Sequence, residues 1–420
     1  MQIEIVTIGN EVLSGRTLDT NFAFLARALE EASVQVAWHT TVGDVAEGIA
    51  GALRQGLGRA DGVIMTGGLG PTPDDVTRKV VAGVLRRPLQ LDEDVLARMR
   101  ERARKAGRTL LPSVESMALI PRGATVWPNP VGSAPGLLFT QGEEGKPVIL
   151  LPGVPQEMEA LAVEFAVPWL KARTGRLVEA FTLRTAGVFE SMLQERIGKL
   201  PAKWTGASLA YLPSYFGVDL RVTVAGQDHD QVREVAGRAY AQLKERVGAV
   251  VYAEGTRTIE TVVGEELTRL GQRIATAESC TGGLLAKRLT DVPGSSQWFE
   301  RGFVTYSNAA KLELLGVRKA DLEAHGAVSA PVAEQFARGA CERARVEVGV
   351  GITGIAGPDG GTPEKPVGTV FIGVASPRGD VVRTFRFAGS RATVRERSAQ
   401  TALDLVRRQL QGLPLDPSLD

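Results

Sequence analysis

Short apolar runs alternate with amphipathic stretches along most of this chain, and the alternation divides it into three blocks. In the first, residues 3–8, 34–42 and 62–65 read as buried strands, and residues 21–31, 45–57, 75–85 and 155–170 carry the 3.6-residue period of helices. Strand–helix alternation predicts an α/β domain with a largely parallel sheet. Residues 128–136, rich in Gly and Pro, read as a loop. The second block predicts strand 177–184, helix 189–197, strands 207–212 and 218–224, and helix 230–247, a small α+β module. The third opens with helix 259–270 and strand 273–277. Further strands are expected at 302–306, 347–352, 368–375 and 381–387, and helices at 283–289, 309–315, 331–345 and 392–410. The tail 412–420 reads as frayed.

Composition narrows the classes. At 420 residues the chain is too long for one ordinary domain, and its 44% hydrophobic and 23% charged content is that of a globular protein. The formal net charge of +1 gives no electrostatic case for binding nucleic acid or an anionic membrane. Cys280 and Cys341 are too few for a disulfide framework and fit a reducing cytoplasm. No apolar run is long enough to span a bilayer, and the start lacks the pattern of a signal peptide.

Candidate chemistry in the first block centres on Thr66-Gly67-Gly68-Leu69-Gly70, followed by Asp74 and Asp75, between a predicted strand and a predicted helix. Glycines let backbone N–H groups approach a phosphate, and the adjacent acids suit a hard divalent cation such as Mg2+. Glu11 comes after the first strand and Asp44 after the second. Asn129 with Ser133, and Pro152 with Gly153, supply two more polar turns. Open α/β sheets bind ligands at the carboxyl ends of their strands, where these segments fall.

In the third block, three segments are candidates for one pocket. They are Ser279-Cys280-Thr281-Gly282-Gly283 with Ser296 nearby, Tyr306 to Lys311, and Thr353-Gly354-Ile355-Ala356-Gly357. A lysine early in a helix, partly buried, has a lowered pKa and serves as the base that a serine hydroxyl needs. His39, His229 and His325 all lie outside these motifs, which argues against a histidine triad. Cys280 is a rival nucleophile, because helix starts activate thiols. Arg391 or Arg395, at the start of the last helix, is placed to grip a phosphate.

Residues 1–170 resemble the molybdopterin-binding domain of molybdenum-cofactor biosynthesis proteins. The segments ESCTGG, YSNAAK and TGIAGP, in that order, resemble the CinA family over nearly the whole chain. The resemblance implies a molybdopterin-binding-like three-layer α/β domain at 1–172, a small KH-like α+β domain at 173–254, and an α/β deamidase domain at 255–412. It further implies hydrolysis of nicotinamide mononucleotide to nicotinic acid mononucleotide and ammonia by the last domain. The implied catalytic set is Ser279, Lys311, Tyr306, Ser296 and Thr353. The first domain is implied to cleave ADP-ribose with a metal at Asp44 and Asp75, Asp74 being the alternative of the adjacent pair. A homodimer is also implied. The middle block lacks a G-x-x-G clamp, which argues against RNA binding. A competence- or repair-linked binding protein and a molybdopterin-handling protein are the competing readings.

Overall fold

The computed structural model describes residues 1–140, 145–175, 177–199, 204 and 206–416. The chain divides into two compact units, Met1–Glu179 with Ala225–Val232, and Ala180–Val224 with Arg233–Asp420.

The strands of the first unit are β1 (Gln2–Ile8), β2 (Gln35–Val42), β3 (Gly62–Thr66), β4 (Leu89–Leu91), β5 (Leu119–Pro121), β6 (Thr125–Trp127), β7 (Gly136–Phe139) and β8 (Val148–Leu151). Six of them form one sheet in the order β2-β1-β3-β8-β7-β6, and β4 pairs with β5 apart from it. β1, β2, β3 and β8 are parallel, whereas β7 and β6 run antiparallel at the edge. Every residue of β1 except Gln2 is buried, as expected for a strand covered on both faces. One face packs under Ala46–Arg59 and Thr77–Val84, through Val6, Leu53, Met65 and Val81. The other packs under Thr20–Glu31 and Pro155–Leu161, through Ile5, Leu25, Ile64 and Met158. These are the three layers that the resemblance to a molybdopterin-binding domain implies.

The departures have physical reasons. β7 and β8 are four residues each, too short to show a period. Helix Glu93–Lys105 is absent from the sequence reading, because its buried positions are only Val95, Leu96 and Met99 among many charges. The helix expected at 155–170 arrives as Pro155–Leu161 and Val167–Lys171 joined by a π-turn over Ala162–Ala166. Pro168 has no N–H to give to the turn before it, so the ladder opens there.

The middle segment contributes β9 (Leu177–Thr185), β10 (Ala207–Ser214), β11 (Gly217–Gly226) and β12 (Val251–Glu254), ordered β10-β11-β9-β12. Val218, Leu220, Val222 and Val224 alternate inward along β11, and this gives a sheet with one covered face. Of these strands, β12 alone is unanticipated.

The last sheet holds β13 (Ile274–Glu278), β14 (Phe299–Val304), β15 (Val348–Gly354), β16 (Thr369–Ala375) and β17 (Val381–Arg386), ordered β14-β13-β15-β16-β17. β14, β13 and β15 are parallel and the remaining two antiparallel. Helices Ile259–Leu270 and Arg391–Gln411 bury their apolar faces with Val350, Ile352 and Val370 in one core. Helix Ala330–Ala344 packs through Val332, Phe336 and Ala340 against Ala275 and Ala277 in another. Gly351 lets that helix approach, since a Cβ there would lie 2.4 Å from Phe336 Cβ.

Part of the tail expected to fray is held. Leu413 N–H donates to Arg408 O, Pro414 O accepts from Arg408 Nη1, and Leu415 packs on the core. Residues 417–420 of that expectation lie outside the described residues. Among the described residues no helix is long and apolar enough to cross a membrane.

Candidate functional site

In the last domain, β13 lies between β14 and β15; β13 and β14 end together, Glu278 pairing with Val304, and β15 runs two residues past Ile352, the partner of Glu278 on the other side. The backbone continues this register past the strands. Ser279 N–H donates to Ile352 O at 3.0 Å and Thr305 N–H to Glu278 O at 2.8 Å. Parallel pairing therefore sets the Ser279 turn between Thr305–Tyr306 and Thr353–Gly354, as the three motifs require.

The turn itself is fixed by Glu278. Its carboxylate, 1% exposed, accepts from the N–H groups of Gly283 and Leu285 at 3.0 Å each and of Ala286 at 2.8 Å. These are amides that the start of helix Leu284–Thr290 leaves unpaired. Gly282 and Gly283 have φ of 60° and 90°, which only glycine adopts without strain. Their amides are not free for an oxyanion, since Gly282 N–H donates to Ser279 O and Gly283 N–H to Glu278. Of Thr281, Gly282 and Gly283, only the Thr281 amide lacks an acceptor among the described residues.

Lys311 is 2% exposed, although a lysine after a helix cap is ordinarily a solvated charge. Ser307 caps its helix, Asn308–Leu315, by accepting from Ala310 N–H at 3.1 Å. Lys311 Nζ donates to Thr305 O at 2.9 Å, Tyr306 O at 3.0 Å and, more weakly, Ser307 O at 3.5 Å. Burial pulls its pKa below the ordinary lysine value. Among the described residues it makes no hydrogen bond to Ser279.

Two arginines join the segments. Arg391 Nη1 donates to Gly357 O at 2.8 Å and Nη2 to Tyr306 Oη at 3.1 Å. Arg395 donates to Thr281 O through Nη2 at 2.7 Å and Nε at 3.2 Å. Arg391 is exposed and Arg395 half-buried. Cys280 is buried, and that burial pushes its thiol up to about 12, so it is not an activated thiolate.

Two expected members do not join. Ser296 sits on the turn Ser295–Gln297 just before β14 begins, whereas Ser279 comes after the end of parallel β13. Within one chain the two serines thus lie at opposite ends of the sheet. Thr353 is fully buried, and its hydroxyl is committed to Ala327 O at 2.7 Å. Gly354 and Ala356 serve packing: a Cβ on Gly354 would lie 2.7 Å from Val370 Cγ2, and Ala356 is in the core.

In the first unit, a cavity of about 760 Å³ opens at the carboxyl ends of β1 and β3. It is lined by Glu11, Asp44, Gly67–Gly70, Asp74, Asp75, Ser133 and Gly153 among others. Gly67 has φ 114°, and a Cβ there would fall 2.2 Å from Ile8 O. The N–H groups of Gly68, Leu69 and Gly70 have no acceptor among the described residues, which leaves three consecutive donors at the cavity wall. Such a nest suits an anion. Asp44 accepts from Asn10 N–H at 2.9 Å, and Asp74 and Asp75 both accept from the Thr72 hydroxyl. That bond holds Asp74 below the usual carboxylate range.

Among the described residues no three acidic, His or Cys groups gather to enclose a metal. Asp44 and Asp75 in one cavity fit a Mg2+-like ion, which keeps water and takes phosphate oxygens besides one or two carboxylates. They do not fit an all-protein cage.

Other residues of this group are spent on the walls. Thr66 Oγ1 donates to Pro152 O at 2.8 Å, and Asn21 Nδ2 reaches both Thr66 Oγ1 at 3.0 Å and Gly153 O at 2.9 Å. Asn129 holds its own loop: Oδ1 accepts from Val131 and Gly132 N–H, and Nδ2 donates to Ala134 O and Glu157. It does not line the main cavity. The sequence reading missed Arg78 and Arg102, and it gave Asn21 and Glu278 no role of their own. Arg102 lines the cavity from the unanticipated helix and donates to Gly132 O at 2.7 Å.

Comparison with known proteins finds three successive family matches along the chain. Residues 4–172 match the model of a probable molybdopterin binding domain, 181–253 that of the damage-inducible protein CinA KH domain, and 256–410 that of the CinA C-terminal domain. A CinA-like protein of Gemmatimonas aurantiaca is 44% identical over 414 residues, covering 97% of this chain and 96% of its own. A CinA-like protein of Anaeromyxobacter dehalogenans is 43% identical over 417 residues, covering 98% of this chain and 100% of its own. The crystal structure of the competence/damage inducible protein CihA from Agrobacterium tumefaciens is 42% identical, covering 36% of this chain and 93% of that one, with a TM-score of 0.35. Full-length matches at this identity make the chain a member of the CinA family, with a molybdopterin-binding-like domain, a KH-like domain and a CinA C-terminal domain in that order.

Proposed function

We propose that the C-terminal domain hydrolyses the carboxamide of nicotinamide mononucleotide to nicotinic acid mononucleotide and ammonia. The observation that carries this reading is the burial of Lys311 against the carbonyls of Thr305 and Tyr306, in the loop that follows β14 and pairs with Glu278, with its pKa lowered by that burial. A neutral lysine amine has two N–H donors and one lone pair. The carbonyls of Thr305 and Tyr306, at 2.9 and 3.0 Å, take the two donors. The contact that deprotonation gives up is the long one to Ser307 O, at 3.5 Å. The lone pair then accepts the Ser279 proton as Oγ attacks the amide carbon. The C–N bond breaks, and the nitrogen leaves as ammonia with the proton Lys311 held. Water next attacks the acyl-serine, and its proton returns through Lys311 to Ser279 Oγ. The Thr281 amide faces the developing oxyanion, and one such donor is typically worth about 3 kcal/mol. Arg391 supplies the exposed cation for the 5′-phosphate, with Tyr306 as its partner.

For the first domain we propose cleavage of ADP-ribose-type diphosphates, ADP-ribose itself giving AMP and ribose 5-phosphate. The free amides of Gly68–Gly70 and the carboxylates of Asp44 and Asp75 share one cavity, which supports this reading. Those carboxylates would hold the cation, which when bound supplies charge neutralisation and an activated water. Product analysis of the purified protein with each nucleotide tests both halves. Ammonia from the mononucleotide should vanish in Lys311→Ala, and AMP from ADP-ribose should vanish in Asp75→Ala. Tight binding of a pterin in place of ADP-ribose cleavage would favour the molybdopterin-handling reading instead.

A further inference from the structure

Arg78 lies on helix Thr77–Val84 and is 4% exposed. Its Nη1 donates to Leu69 O and its Nη2 to Ser116 O, both at 3.1 Å, and its Nε has no acceptor among the described residues. Leu69 and Met117, the residue after Ser116, both line the N-terminal cavity. The guanidinium therefore ties the glycine loop to a second wall. Among the described residues it forms no ion pair. Its neighbour in charge, Asp75, is hydrogen-bonded to Thr72.

A buried charge hydrogen-bonded only to neutral carbonyls is unfavourable, the nearby Asp75 carboxylate offsets that cost without cancelling it, and a neutral donor would hold the same carbonyls without it. Nor is it alone. The three loop amides of Gly68, Leu69 and Gly70 also lack an acceptor among the described residues. The guanidinium and the three loop amides thus add positive potential under one loop, and the nearby Asp75 carboxylate offsets it without forming an ion pair with Arg78.

We propose that Arg78 is a positioning residue whose buried charge is completed by the anionic group of the ligand held at Gly68–Gly70. This deepens, and rests on, the diphosphate reading of that cavity. The charge acts through the loop: it fixes Leu69 O, aims the loop amides outward, and is neutralised when the phosphate arrives.

The test is calorimetric binding of inorganic pyrophosphate, with Mg2+ present, to the full chain carrying Arg78→Lys, Arg78→Gln or Arg78→Met. The expectation is that Lys, which keeps the charge but not the two-armed geometry, loses less affinity than Gln and Met, which weaken binding about tenfold or more. Thermal unfolding without pyrophosphate should show Met no less stable than wild type. Should Gln not fold, Met decides. Equal losses in all variants, unchanged affinity in Gln and Met, or no pyrophosphate binding by wild type would each overturn the proposal. Failure of wild type to cleave ADP-ribose while Gln and Met still lose pyrophosphate would remove the substrate assignment and leave the role of Arg78 standing.

Discussion

Replacing Glu278 by glutamine perturbs the turn without changing its volume. The carboxylate accepts three backbone N–H groups, from Gly283, Leu285 and Ala286. A hydrogen bond to a charged group contributes about 1.5–3 kcal/mol net. Glutamine keeps one oxygen, which can serve Gly283 and Leu285, but its NH2 then faces the Ala286 N–H, donor against donor. Losing one charge-assisted bond and weakening two amounts to about 2–4 kcal/mol of local stability. At 1.4 kcal/mol per tenfold, amide hydrogen exchange over residues 279–290 should speed by about thirty- to several-hundred-fold. Exchange is read by mass spectrometry on the peptide that covers the turn, beside the steady-state rate of ammonia release. The rate should fall chiefly in kcat, because the Thr281 amide and Ser279 move with the turn. Exchange within about threefold of wild type, or a change confined to KM, would refute the view that Glu278 holds this turn.

The same geometry sets the remaining outcomes. Cys280→Ser should keep ammonia release, and the native thiol should resist iodoacetamide at pH 8, where a thiol pushed up to about 12 is thiolate in only about one molecule in ten thousand. Loss of turnover in Cys280→Ser with rapid alkylation would make the thiol the nucleophile. Ser296→Ala, at the far end of the sheet, should leave turnover within about twofold, whereas Tyr306→Phe, which frees Arg391, should raise KM. With pH, burial lowers the Lys311 pKa, so the neutral amine forms at lower pH than in a free lysine, and kcat should rise and level off below the ordinary lysine value. The linked stability has the same sign. Between the folded and unfolded pKa values the unfolded chain binds more protons, so stability rises with pH across that window.

Much of this was legible in the sequence, for reasons that also mark its limits. Helix Arg391–Gln411 and β11 were readable because their apolar periods are long and uninterrupted. The antiparallel edge of the first sheet was not, since β6 and β7 are brief and bracket a Gly/Pro loop. Ser279, Tyr306 and Gly357 come to one edge because each follows a strand of the last sheet and parallel strands bring their carboxyl-terminal loops together, while Lys311 returns from the next helix to the carbonyls of Thr305 and Tyr306. Ser296 precedes its strand, and the same rule sends it to the other end. Glu278 was in view as the first residue of the turn, but its role depends on the bend of Gly282 and Gly283, which returns three amides to it. Arg78 read as one more charge on a helix, because burial is a property of packing rather than of spacing.

The proposed proton carrier for amide hydrolysis is Lys311, buried against the carbonyls of Thr305 and Tyr306. The most direct measurement is ammonia release from nicotinamide mononucleotide by wild type and Lys311→Ala, with AMP release from ADP-ribose measured in the same preparations. Expected are ammonia from wild type, a loss of at least about a thousandfold in Lys311→Ala, and AMP release unchanged in both. Ammonia release retained by Lys311→Ala, or none from wild type while ADP-ribose is still cleaved, would contradict it.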